Sequence, residues 1–173
     1  VAGGIEKVGI FALGMAGAIF HLFNHSIFKS LLFLNAAAVK KETGLLDINE
    51  MGGLAANMPV TGATSVLAAL SISGIPPLAG FWSKLLIVIA LWKVGQYGYA
   101  AIAVLASLLT LGYMLTLQRK VFFGKPDPRF SSVNEAGIGL SAAAIILTAI
   151  LIGAGLFFPY LINSFLVPVG ATL

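Results

Sequence analysis

The chain has 173 residues, 59% of them hydrophobic and only 9% charged, with a mean hydropathy of +1.02 and a net charge of +4. A soluble domain carries about 25% charged residues, so this composition excludes one. It contains no cysteine, which excludes thiolate-ligated iron–sulfur clusters and disulfides within the chain, and the positive balance belongs to the loops and does not suggest nucleic acid.

The apolar runs are continuous rather than alternating, and only helices or closed barrels satisfy the backbone in lipid. The expected fold is therefore all-α, a polytopic membrane helical bundle forming a single transmembrane domain. Residues 1–7 are a short polar start with Glu6 and Lys7. They lack a basic region followed by a small-residue cleavage site, so no cleavable signal peptide is expected. Residues 8–39 would make a helix of about 48 Å against a hydrocarbon core of about 30 Å. Gly9, Gly14 and Gly17 thin its first part, which predicts a short, kinked lead-in stub over 8–15 and a first span over 16–39. Residues 40–58 form a loop with Lys40, Lys41, Glu42, Asp47 and Glu50, ended by Gly52-Gly53 and Pro59. Residues 60–94 are apolar but interrupted at 74–77, where two prolines remove backbone donors and clash with the preceding turn. Gly74, Pro76, Pro77 and the nearby Gly80 mark this break. Neither half spans a bilayer comfortably, so the two are expected to form one discontinuous crossing. Such breaks occur where irregular backbone is buried in protein or lines a wet cavity. Residues 99–118 make a clean third span, 125–129 a proline-stiffened surface loop, and 141–162 the last span, with Pro159 near its end.

Four crossings follow. One side carries Lys40, Lys41, Arg119, Lys120, Lys125 and Arg129, and the other Lys7 and Lys93. The positive-inside rule then places the long loops in the cytoplasm and the termini outside a cell membrane.

Against this apolar background a few ionisable groups stand out. His21, His25 and Lys29 recur at intervals of four in the first span. Each step of four turns about 400° and climbs about 6 Å, so the row stays near one face and drifts about 40° per step. Lys84 lies about two turns beyond the break. An unpaired ionisable group in hydrocarbon costs about 2.5–3.5 kcal/mol on insertion scales, and a proton path would explain that cost. Imidazole can relay protons, and a lysine taken out of water can toggle between charged and neutral forms. Competing readings stand beside this one. The histidines can simply bridge helices by hydrogen bonds, Lys84 can snorkel to an interface, and Pro76-Pro77 can be a plain loop between short tilted helices. A His21/His25 metal pair is disfavoured because no carboxylate or cysteine stands nearby. Glu6, Lys40, Lys41 and the cluster at 125–129 read as solvated loop charges. No nucleophile–base pair or nucleotide loop appears, so no catalytic site and no resident cofactor are expected.

At these residues the chain resembles the antiporter-like, proton-translocating subunits shared by respiratory complex I, the multisubunit cation/proton antiporters and the membrane-bound energy-converting hydrogenases. The matching stretches are HLFNHSIFKSLLFL at 21–34, Met51-Gly52-Gly53-Leu54, and GIPPLAGFWSK at 74–84, with RKVFFG at 119–124 a weaker match. The start at 5–10 looks most like the hydrogenase branch. The resemblance covers about residues 5–162. It implies that Lys29, preceded by His21 and His25, is a central relay, and that Lys84 is the terminal lysine on a broken helix leading towards the outer face. It also implies partners: other membrane subunits, lipid, and peripheral redox subunits carrying iron–sulfur clusters and, in the hydrogenase branch, a nickel–iron site. Two departures stand out. The family's earlier helices, with a glutamate and a lysine that form the uptake half of the path, have no counterpart here, and the stretch between Ile10 and His21 is short. Either the chain is half of a split subunit whose partner chain supplies uptake, or it is a truncated copy kept for assembly without its own ion path. Further alternatives are a component of a non-redox cation/proton antiporter and a small self-sufficient transporter. The coupled ion, H⁺ or Na⁺, is not legible.

Overall fold

Prolines, glycines and apolar runs divide the chain into five α-helices: α1 (Ala2–Thr43), α2 (Pro59–Ser73), α3 (Ala79–Lys93), α4 (Tyr97–Val121) and α5 (Gly137–Leu161). Short 3₁₀ turns at Leu54–Ala56 and Pro128–Phe130 sit in the two long loops. The computed structural model describes residues 2–162 and 164. No strand occurs among them. Val1 and the side chain of Glu6, read above as part of a polar, solvated start, lie outside what is described.

The bundle is a polytopic membrane architecture. Lys7–Thr43, Tyr97–Val121 and Gly137–Tyr160 are each long and apolar enough to cross a bilayer, and α2 is a shorter apolar helix. Large apolar side chains face outward along the bundle, among them Phe11, Leu22, Phe33, Leu109 and Ile138.

The lead-in residues 8–15 are not a separate kinked stub: they are turns of α1, which runs unbroken for 42 residues, about 63 Å. The glycines that suggested a kink serve close packing instead. A Cβ on Gly17 would lie 2.9 Å from Leu86 Cβ and 3.2 Å from Ile87 N, and one on Gly14 would touch Ala90 Cβ at 3.4 Å, so the bare backbone lets α3 lie against α1. The helix stops at Gly44, which takes a left-handed φ of 74°, after Thr43 Oγ1 has turned back to donate to Val39 O. Lys40 and Lys41 in the last turn suit the negative end of the helix dipole.

Apolar clusters hold the bundle, a small one at Leu31, Ala68 and Ala144 and two larger ones. One of the larger two lies beneath the long loops, where Val39, Leu54, Met58, Val121, Phe122 and Phe130 meet. The other lies deeper, where Ile27 and Phe28 of α1 meet Ala69, Ile72, Met114 and Leu151. The loops are also pinned by polar contacts: Lys120 Nζ donates to Asn49 Oδ1 at 2.6 Å, and Arg129 donates to both Asp127 and the Glu50 carbonyl. The start of α2 receives a carboxylate from far along the chain. Glu135 accepts from Val60 N at 2.8 Å and from the Thr61 hydroxyl.

Candidate ion pathway at the break between α2 and α3

The break follows from backbone arithmetic. In a continuing helix the carbonyls of Ile72 and Ser73 would accept from the amides of residues 76 and 77. Both positions are proline, which has no N–H. The helix ends instead with Gly74 at φ 80°, its N–H on Ser71 O and the Ile75 N–H on Leu70 O. Leu78 is extended, with ψ 156°, and α3 begins at Ala79.

The first turn of α3 lies directly against the last turn of α2. A Cβ on Gly80 would run into Ser71 O, a collision with backbone, so only glycine fits. Ser71 Oγ accepts from Gly80 N at 3.3 Å across the same contact. From the other side α5 closes on the break: a Cβ on Gly155 would lie 2.5 Å from Pro77 O. Lys84 then reaches back across the junction, and its Nζ donates at 2.7 Å to Ile72 O, a carbonyl the prolines freed. Lys84 is half-buried and borders a cavity of about 240 Å³, with Ser73, Gly74 and Ile75 on one wall and Ser107 of α4 on another.

Helix α1 meets α3 beside the break through two polar side chains. Asn24, fully buried, donates from Nδ2 to Ala79 O at 3.0 Å. His21 Nδ1 lies 3.0 Å from Ser83 Oγ. The Ser83 hydroxyl donates to Gly80 O at 3.1 Å, so its single proton is committed and its lone pair accepts from His21 Nδ1–H. That assigns the tautomer and leaves Nε2 of a neutral His21 as the nitrogen open to proton exchange.

The residues singled out from sequence are therefore only partly assembled. His21 is joined to the break through Ser83, the residue next to Lys84. The His25 ring centroid lies 6.2 Å from that of His21, but His25 is exposed on the surface of the described bundle. Lys29, half-buried, borders a different cavity of about 270 Å³ with Asn35 and Ser65. The drift of about 40° per step in an i, i+4 row carries Lys29 about 80° away from the line of His21. The stripe that faces the other helices is His21, Asn24, Phe28, Leu31 and Asn35, whose last four members are at most 2% exposed. Asn35 Oδ1 accepts from Thr64 of α2, and Gln118 of α4 donates to Ser65.

Sequence reasoning passed over Asn24, Asn35, Ser83, Gln118 and Glu135. A signal was present for two of them: Asn24 stands three residues after His21, on the neighbouring position of the same helix face, and Asn35 eleven after Asn24, close to three whole turns. Among the described residues no group of three or more His, Asp or Glu is placed to hold a metal.

Residues 4–110, which comprise α1 to α3 and half of α4, match the family described as NADH:quinone oxidoreductase/Mrp antiporter, transmembrane. Over 161 residues the chain is 37% identical to a Na(+)/H(+) antiporter subunit of Alkalihalophilus pseudofirmus, covering 86% of this chain and 20% of that protein. Two solved structures superpose closely. The membrane-bound sulfane sulfur reductase, an archaeal respiratory membrane complex, contains a chain 34% identical with a TM-score of 0.78, covering 83% of this chain and 24% of that one. Respiratory complex I from Thermus thermophilus contains one 26% identical with a TM-score of 0.78, covering 95% and 33%. The chain thus spans about a fifth of the curated relative and a quarter to a third of the two solved chains.

Proposed function

This chain belongs to the NADH:quinone oxidoreductase/Mrp antiporter transmembrane family, and from that membership we propose that it is an antiporter-like membrane subunit of a redox-driven respiratory complex, contributing part of a proton or sodium path through His21, His25, Lys29 and Lys84. The observation that carries the reading is the junction itself. His21 is hydrogen-bonded to Ser83, and the adjacent Lys84 donates to a carbonyl freed by two prolines. Two groups able to gain and lose protons are thus each hydrogen-bonded beside a backbone break inside an apolar bundle.

In this reading α2 and α3 are the halves of one discontinuous crossing, and the freed carbonyls supply polar atoms where hydrocarbon would otherwise stand. Asn24 Oδ1, Asn35 Nδ2 and Gln118 Oε1 are buried without a protein partner among the described residues. Each is a place for a bound water, which would extend the line from the Lys29 cavity towards His21 and Lys84. Uptake comes from helices outside these 173 residues, the long loops face the cytoplasm, and peripheral partner subunits hold the iron–sulfur clusters and a nickel–iron site. The 34% identity with a chain of an archaeal respiratory complex supports the redox branch. Single Lys29→Ala and Lys84→Ala variants are expected to abolish ion pumping while the complex still assembles; full pumping in both variants contradicts the proposal.

The 37% identity with a Na(+)/H(+) antiporter subunit favours a second reading, membership of a non-redox cation/proton antiporter. Elemental analysis of the complex extracted in mild detergent separates the two. Co-purifying iron, with nickel, supports the hydrogenase-like branch, and membrane subunits without metal support the antiporter.

A further inference from the structure

Glu135 lies just before α5, yet its carboxylate serves a different helix. Oε2 accepts from Val60 N at 2.8 Å and Thr61 N at 3.3 Å, and Oε1 accepts from the Thr61 hydroxyl. Oε1 also lies 3.3 Å from its neighbour's amide, Ala136 N. The residue preceding α2, Met58, offers no side-chain cap, and Pro59 has no N–H to satisfy. The first free amides of α2 therefore depend on Glu135.

The other end of α2 is also held by an ionisable side chain from elsewhere, because Ile72 O accepts from Lys84. A carboxylate sits at the positive end of the helix dipole and an ammonium at the negative end. Val60 and Ile72 are twelve residues apart, about 18 Å along the axis. Between them α2 is tied laterally to α1 through Thr64 and Asn35 and to α4 through Ser65 and Gln118. On the packed helix α1, Lys41 Nζ would lie 3.6 Å from a Cβ on Gly137, two residues after Glu135. Residues 59–73 and 137–141 carry no charge.

We propose that Glu135 is a positioning residue for Lys84. By anchoring the first turn of α2 it sets the axial place of the whole helix, and so the place of the Ile72 carbonyl that receives the lysine. The proposal rests on the reading of Lys84 as part of the ion path, and it predicts an effect across the full length of α2 from a loop residue.

The chain has no cysteine, so an Ile75→Cys reporter, half-buried beside Lys84 at the break, reads local geometry by its thiol-labelling rate in the assembled complex. Glu135→Gln replaces one acceptor oxygen with an NH₂ donor that cannot receive the α2 amides. It is expected to leave the amount of complex unchanged, to alter labelling of the Ile75→Cys reporter, and to lower ion translocation per complex about tenfold, the size of one lost helix cap. Glu135→Asp, which keeps the charge, is expected to restore part of both. Thr61→Val, which removes one donor and keeps the shape, is expected to move labelling in the same direction by less. Wild-type labelling and translocation in the variants that assemble overturn the proposal, as does a loss confined to the amount of complex. Labelling does not depend on ion movement. Altered labelling in Glu135→Gln combined with full pumping in Lys84→Ala would therefore remove the transport reading and leave the positional link standing.

Discussion

At the scale of single residues, the site is decided by which polar atoms find partners. Asn24 is buried and its Nδ2 satisfies Ala79 O at the start of α3. Asn24→Leu removes this bond between α1 and α3, and a typical intramolecular hydrogen bond contributes about 0.5–1.5 kcal/mol. The variant complex is expected to melt at lower temperature, and an unchanged melting temperature would show that the bond adds nothing to stability. Ser83 accepts from His21 and so orients its ring. Ser83→Ala is expected to lower ion translocation about tenfold without loss of assembly, since each 1.4 kcal/mol of lost organisation is a factor of ten. Translocation at the wild-type rate would mean that the tautomer of His21 is of no consequence. The histidines and lysines were legible in the sequence because charge is rare in this chain. Their grouping was not, because a spacing of four looks like one face over a single step and departs from it over two. His21 reaches the break; Lys29, eight residues on, borders another cavity.

At the scale of helices, small residues matter as much as apolar ones. The break at 74–77 was legible because proline acts locally, by removing an N–H whatever the surroundings. The role of the glycines was not, because close approach is a property of two helices and a sequence shows only one at a time. Gly14 and Gly17 read as a weakness in α1, whereas they admit α3. A contrast between two glycines tests this. Gly80→Ala would drive a methyl group into the Ser71 backbone and is expected to cost well above the ~1–3 kcal/mol of ordinary overpacking, seen as lost complex. Gly9→Ala, with nothing within 4 Å, is expected to be neutral or to gain up to about 1 kcal/mol in helix propensity. Equal tolerance of both would contradict the packing described here. Glu135 belongs to the same class of invisible feature, since 75 residues separate it from Val60.

For the whole molecule, the all-helical membrane architecture was the most legible property, because lipid leaves the backbone few solutions and composition alone selects among them. Less legible was the clamp formed by the two long loops. Arg129 is hydrogen-bonded to Asp127 and holds its carboxyl below the usual carboxylate range. A depressed carboxylate contributes above its unfolded value and loses that contribution as pH falls through its folded one, so this pair persists into mildly acid solution. Six of the ten basic residues, Lys40, Lys41, Arg119, Lys120, Lys125 and Arg129, lie in these loops or in the helix turns that lead into them. An Asp47→Cys variant is expected to react with an impermeant thiol reagent from the cytoplasmic side, and labelling from the outer side would invert the proposed topology.

The most direct test of the central claim is ion translocation per assembled complex in sealed vesicles carrying Lys84→Gln, with the amount of complex measured alongside. Loss of translocation from an intact complex is the result expected if the junction of His21, Ser83 and Lys84 carries the ion. Translocation at the wild-type rate would contradict it and leave the break a structural feature.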